Sequence, residues 1–310
     1  MGTVAITTLQ KVGVLLLFIT IGFLLRRFSK LPQSTGKVLS ILCTTIFTPA
    51  YTIKNLSGNL TVETLSEKAI LFGLGFVVII FVIALSYLLG KLMGKSDFER
   101  KSLIYAFAIP NFGYFGYPLV ESVFGSATLA NMVVFAAPIS IATYSWGFLL
   151  FSRDEKLTFK NVMLKPTILA VFIGVAIGLS GLKLPEFVAD VVAGAGSCMS
   201  PVSMLLAGFV LAGMPLKKLL IGGKAYLVSF VRLVIIPLIF CIPMYLLGLR
   251  GEMLLIPLVT LALPLGLNLV VFPESYGFDA TDNARMCFVS YIMCVLVLPF
   301  TFAAINYLAF

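Results

Sequence analysis

Ala108-Ile109-Pro110-Asn111-Phe112-Gly113-Tyr114-Phe115-Gly116-Tyr117-Pro118 cannot hold a regular helix, yet it lies inside a long apolar stretch. Two prolines and two glycines fall within nine residues. Proline removes an amide donor and clashes with the preceding turn, and glycine adds backbone freedom. Pro110 lies nine residues past Lys101, roughly 14 Å at 1.5 Å per residue, near the middle of a bilayer core. Ala262-Leu263-Pro264-Leu265-Gly266-Leu267-Asn268, followed by Pro273, has the same make-up, and Pro264 lies twelve residues past Glu252. Broken backbone at membrane depth persists only where protein or a water-filled cavity satisfies it. The two stretches should therefore face each other inside the protein.

The surrounding composition puts them in a membrane. Of 310 residues, 60% are hydrophobic and 11% charged, and the mean hydropathy is +1.09. Soluble chains run near a half and a quarter. A soluble enzyme, a disordered linker protein and a disulfide-stapled secreted domain are excluded. The apolar runs are continuous rather than ten-residue alternations, which argues against a β-barrel. Histidine is absent, which removes Ser-His triads, His-based zinc sites and His proton relays. The five cysteines sit inside apolar runs, with no metal or disulfide spacing. The net charge of +9 comes from basic residues in short loops, a mark of membrane orientation rather than of a nucleic-acid partner.

Ten spans of about 20 apolar residues are expected at 4–25, 37–56, 69–92, 101–124, 127–151, 162–182, 187–214, 224–249, 252–276 and 284–309. The first is too long for a signal-peptide core, and Arg26-Arg27 follows it rather than precedes it. Sixteen of the 22 basic residues fall in odd-numbered loops, with Lys54, Lys68, Lys183 and Arg250 in even ones. Odd loops are thus expected in the cytoplasm of a cell-membrane protein, with both termini outside. Asn-x-Ser/Thr matches at Asn55 and Asn59 hug a span end and read as chance.

The halves resemble each other. Thr48-Pro49 matches Ser200-Pro201, Pro110 matches Pro264, and Pro118 matches Pro273, at offsets of 152, 154 and 155. Five spans per half make the second repeat enter from the opposite side, as in inverted-repeat secondary transporters. The expected organisation is all-α and polytopic: a first repeat at 1–151, a cytoplasmic linker at 152–161 and a second repeat at 162–310. Each break opens a half-helix N-terminus with free amides and partial positive charge. Two such ends form an anion site without Lys or Arg. The candidate substrate residues are Pro110, Asn111, Phe112 and Gly113 with Pro264, Leu265, Gly266 and Asn268. Thr48-Pro49 and Ser200-Pro201 join them from the matched second and seventh spans. Asn111 and Asn268 offer amides to a carboxylate.

Mid-span ionisable groups, the usual pointer to transport chemistry, are nearly absent. Glu121 and Glu274 sit at span edges, Lys54 and Lys68 flank an outside loop, and Arg232 is expected to snorkel to the cytoplasmic face. Proton antiport through a central carboxylate is disfavoured. Sodium coupling stays open through broken-helix carbonyls with Thr44, Thr45, Thr48, Ser200 or Ser203; no other cofactor is expected. An enzyme would need a paired acid or a Ser/Lys dyad at mid-depth, and neither is present. The alternative to a carrier is a channel or non-transporting sensor on the same fold. Gly174-Val-Ala-Ile-Gly178 and Gly208-Phe-Val-Leu-Ala212 fit small-xxx-small packing, within one protomer or at a dimer seam.

The run from Ile109 to Leu119, with Phe124-Gly125, resembles the fourth helix of the auxin efflux carrier family. Ala262-Leu263-Pro264-x-Gly266 with Glu274-Ser-Tyr276 resembles the ninth. Phe47-Thr-Pro49 is similar to the second, Ser200-Pro201 with Gly208 and Gly213-Met-Pro-Leu to the seventh, and Val231-Arg232 with Pro237 to the eighth. The resemblance spans almost the whole chain. It implies ten helices in a five-plus-five inverted repeat, with helices four and nine crossing at their prolines. It implies a scaffold of helices one, two, six and seven beside a mobile domain, an elevator motion and a homodimer through helices two, six and seven. It implies an organic mono- or dicarboxylate whose carboxylate is bound at Asn111. Asn268 departs from the plant pattern. The long central loop of the plant carriers is missing, which points to the short prokaryotic branch and to dicarboxylates such as malate or malonate. The acid-lysine pair of the plant third helix has a counterpart only in Glu67-Lys68.

Overall fold

The computed structural model describes residues 2–32, 34–152, 160, 163–213 and 219–310, with only the backbone of Ser275, and every regular element among them is helical. In chain order these are α1 (Gly2–Phe28), α2 (Thr35–Asn59), α3 (Leu65–Met93), α4 (Asp97–Ala108), α5 (Tyr117–Phe124) and α6 (Ser126–Gly147). The second half holds α7 (Pro166–Ser180), α8 (Glu186–Leu211), α9 (Gly223–Leu246), α10 (Glu252–Leu261), α11 (Asn268–Ser275) and α12 (Thr281–Ala309). Seven of them are long and apolar enough to cross a membrane: α1, α2, α3, α6, α8, α9 and α12. The fourth and ninth expected spans fail that length because each is in two pieces, α4 with α5 and α10 with α11. The sixth, α7, has 15 continuous residues. Leu17, Phe81, Leu296 and Phe300 protrude from the outer faces, as suits a polytopic membrane protein whose solvent is acyl chains.

Most of the linker at 152–161, including Arg153 and Lys156, lies outside the described residues, as do Lys217, Lys218 and the Met214-Pro215-Leu216 run.

Packing divides the helices into two groups. In one, α1 lies along α8, and α2 lies along α7 and α8. Small residues set these distances: a Cβ on Gly174 would meet the Leu56 side chain at 2.9 Å, and one on Gly178 the Leu60 carbonyl at 2.7 Å. The paired glycines of the sixth span are thus used within one chain. In the other group, α3 lies along α4 and α6, α6 along α10, and α12 along α9 and α10. α12 also packs on α1.

Several spans expected to be regular helices contain a π-helical turn. Cys43–Phe47 interrupts α2, Thr143–Gly147 ends α6, and Val231–Ile235 interrupts α9. Side-chain hydroxyls bond back to the widened turns: Thr45 to the Ile41 carbonyl at 2.7 Å, and Thr143 to that of Ile139 at 2.7 Å. Such back-bonding loosens a helix locally.

The start of α4 is fixed by a capping box. Ser96 accepts the Glu99 amide at 3.2 Å, and Glu99 accepts the Lys95 amide at 2.7 Å. Glu99 also pairs with Lys224 at the start of α9, and Lys224 donates to the Met93 carbonyl at the end of α3 at 2.7 Å. The Lys224 bond holds the Glu99 carboxyl below its ordinary value. A depressed carboxyl stabilises the fold above its unfolded value, about 4.3, and loses that contribution as pH falls through the folded value. The two side chains are 34% and 32% exposed, so screening limits the pair to below about 1 kcal/mol. Glu99→Gln should therefore lower the melting temperature at pH 7 by about 3 °C or less, and the difference should close as pH falls through the lowered folded value of Glu99. A difference that does not shrink with falling pH would trace the effect to the cap rather than to the ion pair.

Candidate functional site

The two proline breaks touch. α4 stops at Ala108, and Pro110 pairs with Leu265 as an isolated antiparallel bridge. The Asn111 amide donates to the Pro264 carbonyl at 2.8 Å. Proline supplies no amide of its own, so the neighbouring residues make the cross-link. A π-helical turn, Phe112–Gly116, then starts the second half of the span, and the Gly116 amide returns to the Asn111 carbonyl at 2.9 Å. On the other strand α10 stops at Leu261 and α11 resumes at Asn268, with the Leu269 amide on the Gly266 carbonyl at 3.0 Å. Glycine eases this approach. A Cβ on Gly116 would sit 2.3 Å from Leu263 Cδ1, and one on Gly266 would sit 3.3 Å from the Ile109 carbonyl.

A small cavity of about 40 Å³ opens at the crossing. Residues 109–114 of one break and 266–268 of the other line it, so both half-helix N-termini face the same space. Their first amides have no helical acceptor. Tyr105, Tyr114, Tyr117 and Tyr144 form much of the remaining wall, with Thr48, Thr143 and Thr167. Among the described residues, no charged side chain lines it. The hydroxyls of Thr48, Tyr105 and Tyr114 are buried without a partner at hydrogen-bond distance, although Asn268 lies beside Tyr105 and Tyr144, and Tyr144 lies beside Tyr114. Buried hydroxyls are rarely left unpaired. The Asn111 side chain is 4% exposed and donates to the Tyr291 hydroxyl at 2.8 Å. Tyr291 is itself stacked on Phe115, with centroids 5.9 Å apart. That leaves Asn111 a second amide hydrogen and a carbonyl. Leu265 is steadied by its amide on Ser290 Oγ at 3.3 Å.

Of the residues expected here, Thr48, Pro110, Asn111, Phe112, Gly113, Gly266 and Asn268 line the cavity, while Pro264 and Leu265 make the bridge beside it. Pro49, Ser200 and Pro201 do not line it. Ser203 instead braces the break, donating to the Ser200 carbonyl at 3.0 Å and, more weakly, to that of Tyr114 at 3.4 Å. Thr44 and Thr45 donate to carbonyls of their own helix, so Thr48 alone of the candidate sodium ligands faces the cavity.

Two basic residues lie elsewhere than expected. Arg232 does not snorkel: it is fully buried, and its Nη1 donates to the Phe107 carbonyl at 2.9 Å. It sits in the π-helical turn of α9, against the end of α4. Lys68 does not merely flank a loop. It is 5% exposed and donates to Asn131, which donates to Glu252; Glu252 also accepts from Thr128 at 2.7 Å. This chain of polar groups ties α3, α6 and α10 together. Glu121 accepts from Tyr51 of α2, and Tyr51 stacks on Tyr117 of the cavity wall with centroids 6.3 Å apart. The four tyrosines escaped a reading that looked for breaks and charges. Their signal was a phenol placed deep in an apolar span, where the hydroxyl must find a partner.

The profile of a family described as membrane transport protein matches residues 7–162 and 155–302. An uncharacterized transporter of Methanocaldococcus jannaschii is 24% identical, over 94% of this chain and 96% of its own. An uncharacterized transporter of Methanothermobacter thermautotrophicus is 24% identical, over 92% and 94%. The match covers nearly the whole chain and includes both breaks, so this integral membrane protein belongs to the membrane transport protein family, that of the auxin efflux carriers.

Proposed function

We propose that this chain is a secondary carrier of small organic anions, with the substrate carboxylate held at the crossing. The observation that carries the reading is the convergence of two half-helix N-termini and Asn111 on one cavity with unpartnered hydroxyls. Partial positive charge at a helix N-terminus holds an anion without a cationic side chain. In this reading the twelve helical segments are ten spans in a five-plus-five inverted repeat, with both termini outside. The bridged crossing moves with α3–α6 and α9–α12 as one body. α1, α2, α7 and α8 stay as scaffold, so that Thr48 of α2 would meet the substrate in only one position of the elevator. Apolar side chains exposed on α7 and α8, such as Phe172, Phe187 and Val191, are consistent with a homodimer through α2, α7 and α8.

The wall chemistry favours monocarboxylates over the dicarboxylates expected from the short loop. A second carboxylate would meet phenols and threonines but no cation, and an unpaired buried charge costs several kcal/mol. Monocarboxylates with an apolar body should therefore bind at least about tenfold more tightly than dicarboxylates of equal size. Competition against a labelled monocarboxylate measures this directly.

Proteoliposomes carrying the protein, offered a panel of both classes with and without a sodium gradient, test the function. Saturable uptake with counterflow supports the carrier, and its response to sodium decides that coupling. Large unitary currents would establish the channel reading instead. Silence in both current and counterflow across the panel would leave the sensor.

A further inference from the structure

Arg232 is buried in the span of α9, and among the described residues no acidic side chain pairs with it. It is the bulkiest of the fully buried side chains. Its Nη1 reaches the Phe107 carbonyl, while Nε and Nη2 have no partner. The acidic groups nearest the helix ends are engaged elsewhere: Glu99 with Lys224, Glu121 with Tyr51, and Glu252 with Asn131 and Thr128. A buried charge left like this is costly, and intramembrane ionisable groups normally face a partner or a pathway.

Its position gives it a use. Phe107 is in the last turn of α4, two residues before Ile109, which lines the cavity. The last carbonyls of α4 are the negative end of its dipole, and Arg232 answers one of them. The positive ends, at Phe112 and Asn268, face the cavity, and among the described residues no acidic side chain lines it. The crossing therefore carries excess positive charge.

We propose that Arg232 is a specificity-determining residue of the crossing: it is the fixed positive charge whose counter-ion is the bound substrate anion. This rests on the anion-carrier reading above. Arg232 acts through space rather than by contact. Pro110 lies three residues past Phe107, at most about 10 Å of chain. At that distance, in protein of moderate effective dielectric, one unit charge shifts the affinity of another by roughly tenfold.

The test compares acids with amides of the same shape. Purified full-length protein is titrated with propionate and propionamide, benzoate and benzamide, and phenylacetate and phenylacetamide, and binding is read from the shift in melting temperature. The wild type should prefer each acid. Arg232→Met should reduce that acid-over-amide preference about tenfold, while Arg232→Lys should keep it within about threefold. The methionine variant is expected to fold, because replacing an unpaired buried charge with an apolar chain of similar size is commonly neutral or stabilising. If the wild type shows no acid preference, the anion reading falls and this inference with it. If the wild type prefers acids and Arg232→Met prefers them equally, this inference alone falls. Loss of the fold in Arg232→Met would make Arg232 a brace between α9 and α4, and would also overturn it.

Discussion

Asn111→Ala is expected to abolish saturable carboxylate flux at concentrations where the wild type is half-saturated, without unfolding the protein. The side chain sits where the chain turns from the bridge into a half-helix, and Asn111 lines the same cavity as the first free backbone amides. A hydrogen bond to a charged group is worth roughly 1.5–3 kcal/mol, or ten- to a hundredfold in affinity. Losing it also frees the carboxylate to tumble, and translocation depends on an oriented substrate. The cost to the fold is separate. Alanine leaves the Tyr291 hydroxyl buried without Asn111, about 1–3 kcal/mol against a total stability of about 5–15. The variant should melt at a lower temperature and still fold.

Tyr291→Phe separates the two effects. It removes the group that Asn111 anchors on but leaves the amide in place, so affinity should fall less than in Asn111→Ala. Counterflow with a bound monocarboxylate measures both variants. Wild-type flux in Asn111→Ala would place the substrate elsewhere. Equal losses in the two variants would make Tyr291 a direct contact as well.

The crossing was legible because proline and glycine act locally. Pro110, Gly113, Gly116 and Pro264 each forbid or loosen a regular helix whatever surrounds them, and mid-membrane depth then demands that the breaks meet. The bridge between Pro110 and Leu265 is the outcome. The π-helical turns were less visible, although a signal existed. Phe47, Gly116 and Ile235 end such turns, and Pro49, Pro118 and Pro237 each follow two residues later. A widened turn relieves the clash between a proline ring and the preceding carbonyl. Read with that rule, the same prolines mark Thr48 and Arg232 as displaced from an ordinary helix face. The Lys68–Asn131–Glu252 chain could not be read in this way. Its members are 63 and 121 residues apart in sequence, and only tertiary packing brings them together. Arg232 misled for a related reason: its side chain is long enough to snorkel, and the choice of the Phe107 carbonyl instead depends on where α4 stops.

Gly208→Ala should destabilise the fold more than any single methyl elsewhere on α8, while leaving the anion site as it was. A Cβ at Gly208 would lie 1.8 Å from the Ile19 carbonyl oxygen and 2.7 Å from the Phe23 nitrogen. The approach is reciprocal, since a Cβ on Gly22 would lie 2.1 Å from the Leu205 oxygen. Every atom met is backbone, so no rotamer change relieves the clash and α1 must move off α8. That separation loosens the contacts of Val12, Leu15 and Ile19, which are buried on the inner face of α1. Overpacking of this kind costs about 3 kcal/mol or more, a fall in melting temperature on the order of 6–10 °C. Gly13→Ala is the internal control: it lies on α1 with nothing within 4 Å of its Cβ position, and there alanine is the better helix former by about 1 kcal/mol. Gly13→Ala should leave the melting temperature unchanged or raise it. The protein that remains folded in Gly208→Ala should bind monocarboxylates with wild-type affinity, because neither α1 nor α8 lines the cavity. Equal shifts in the two glycine variants would mean that α1 and α8 do not approach in this way. Lost affinity in folded Gly208→Ala would mean that the scaffold shapes the site, and that Thr48 of α2 is held in place through α8.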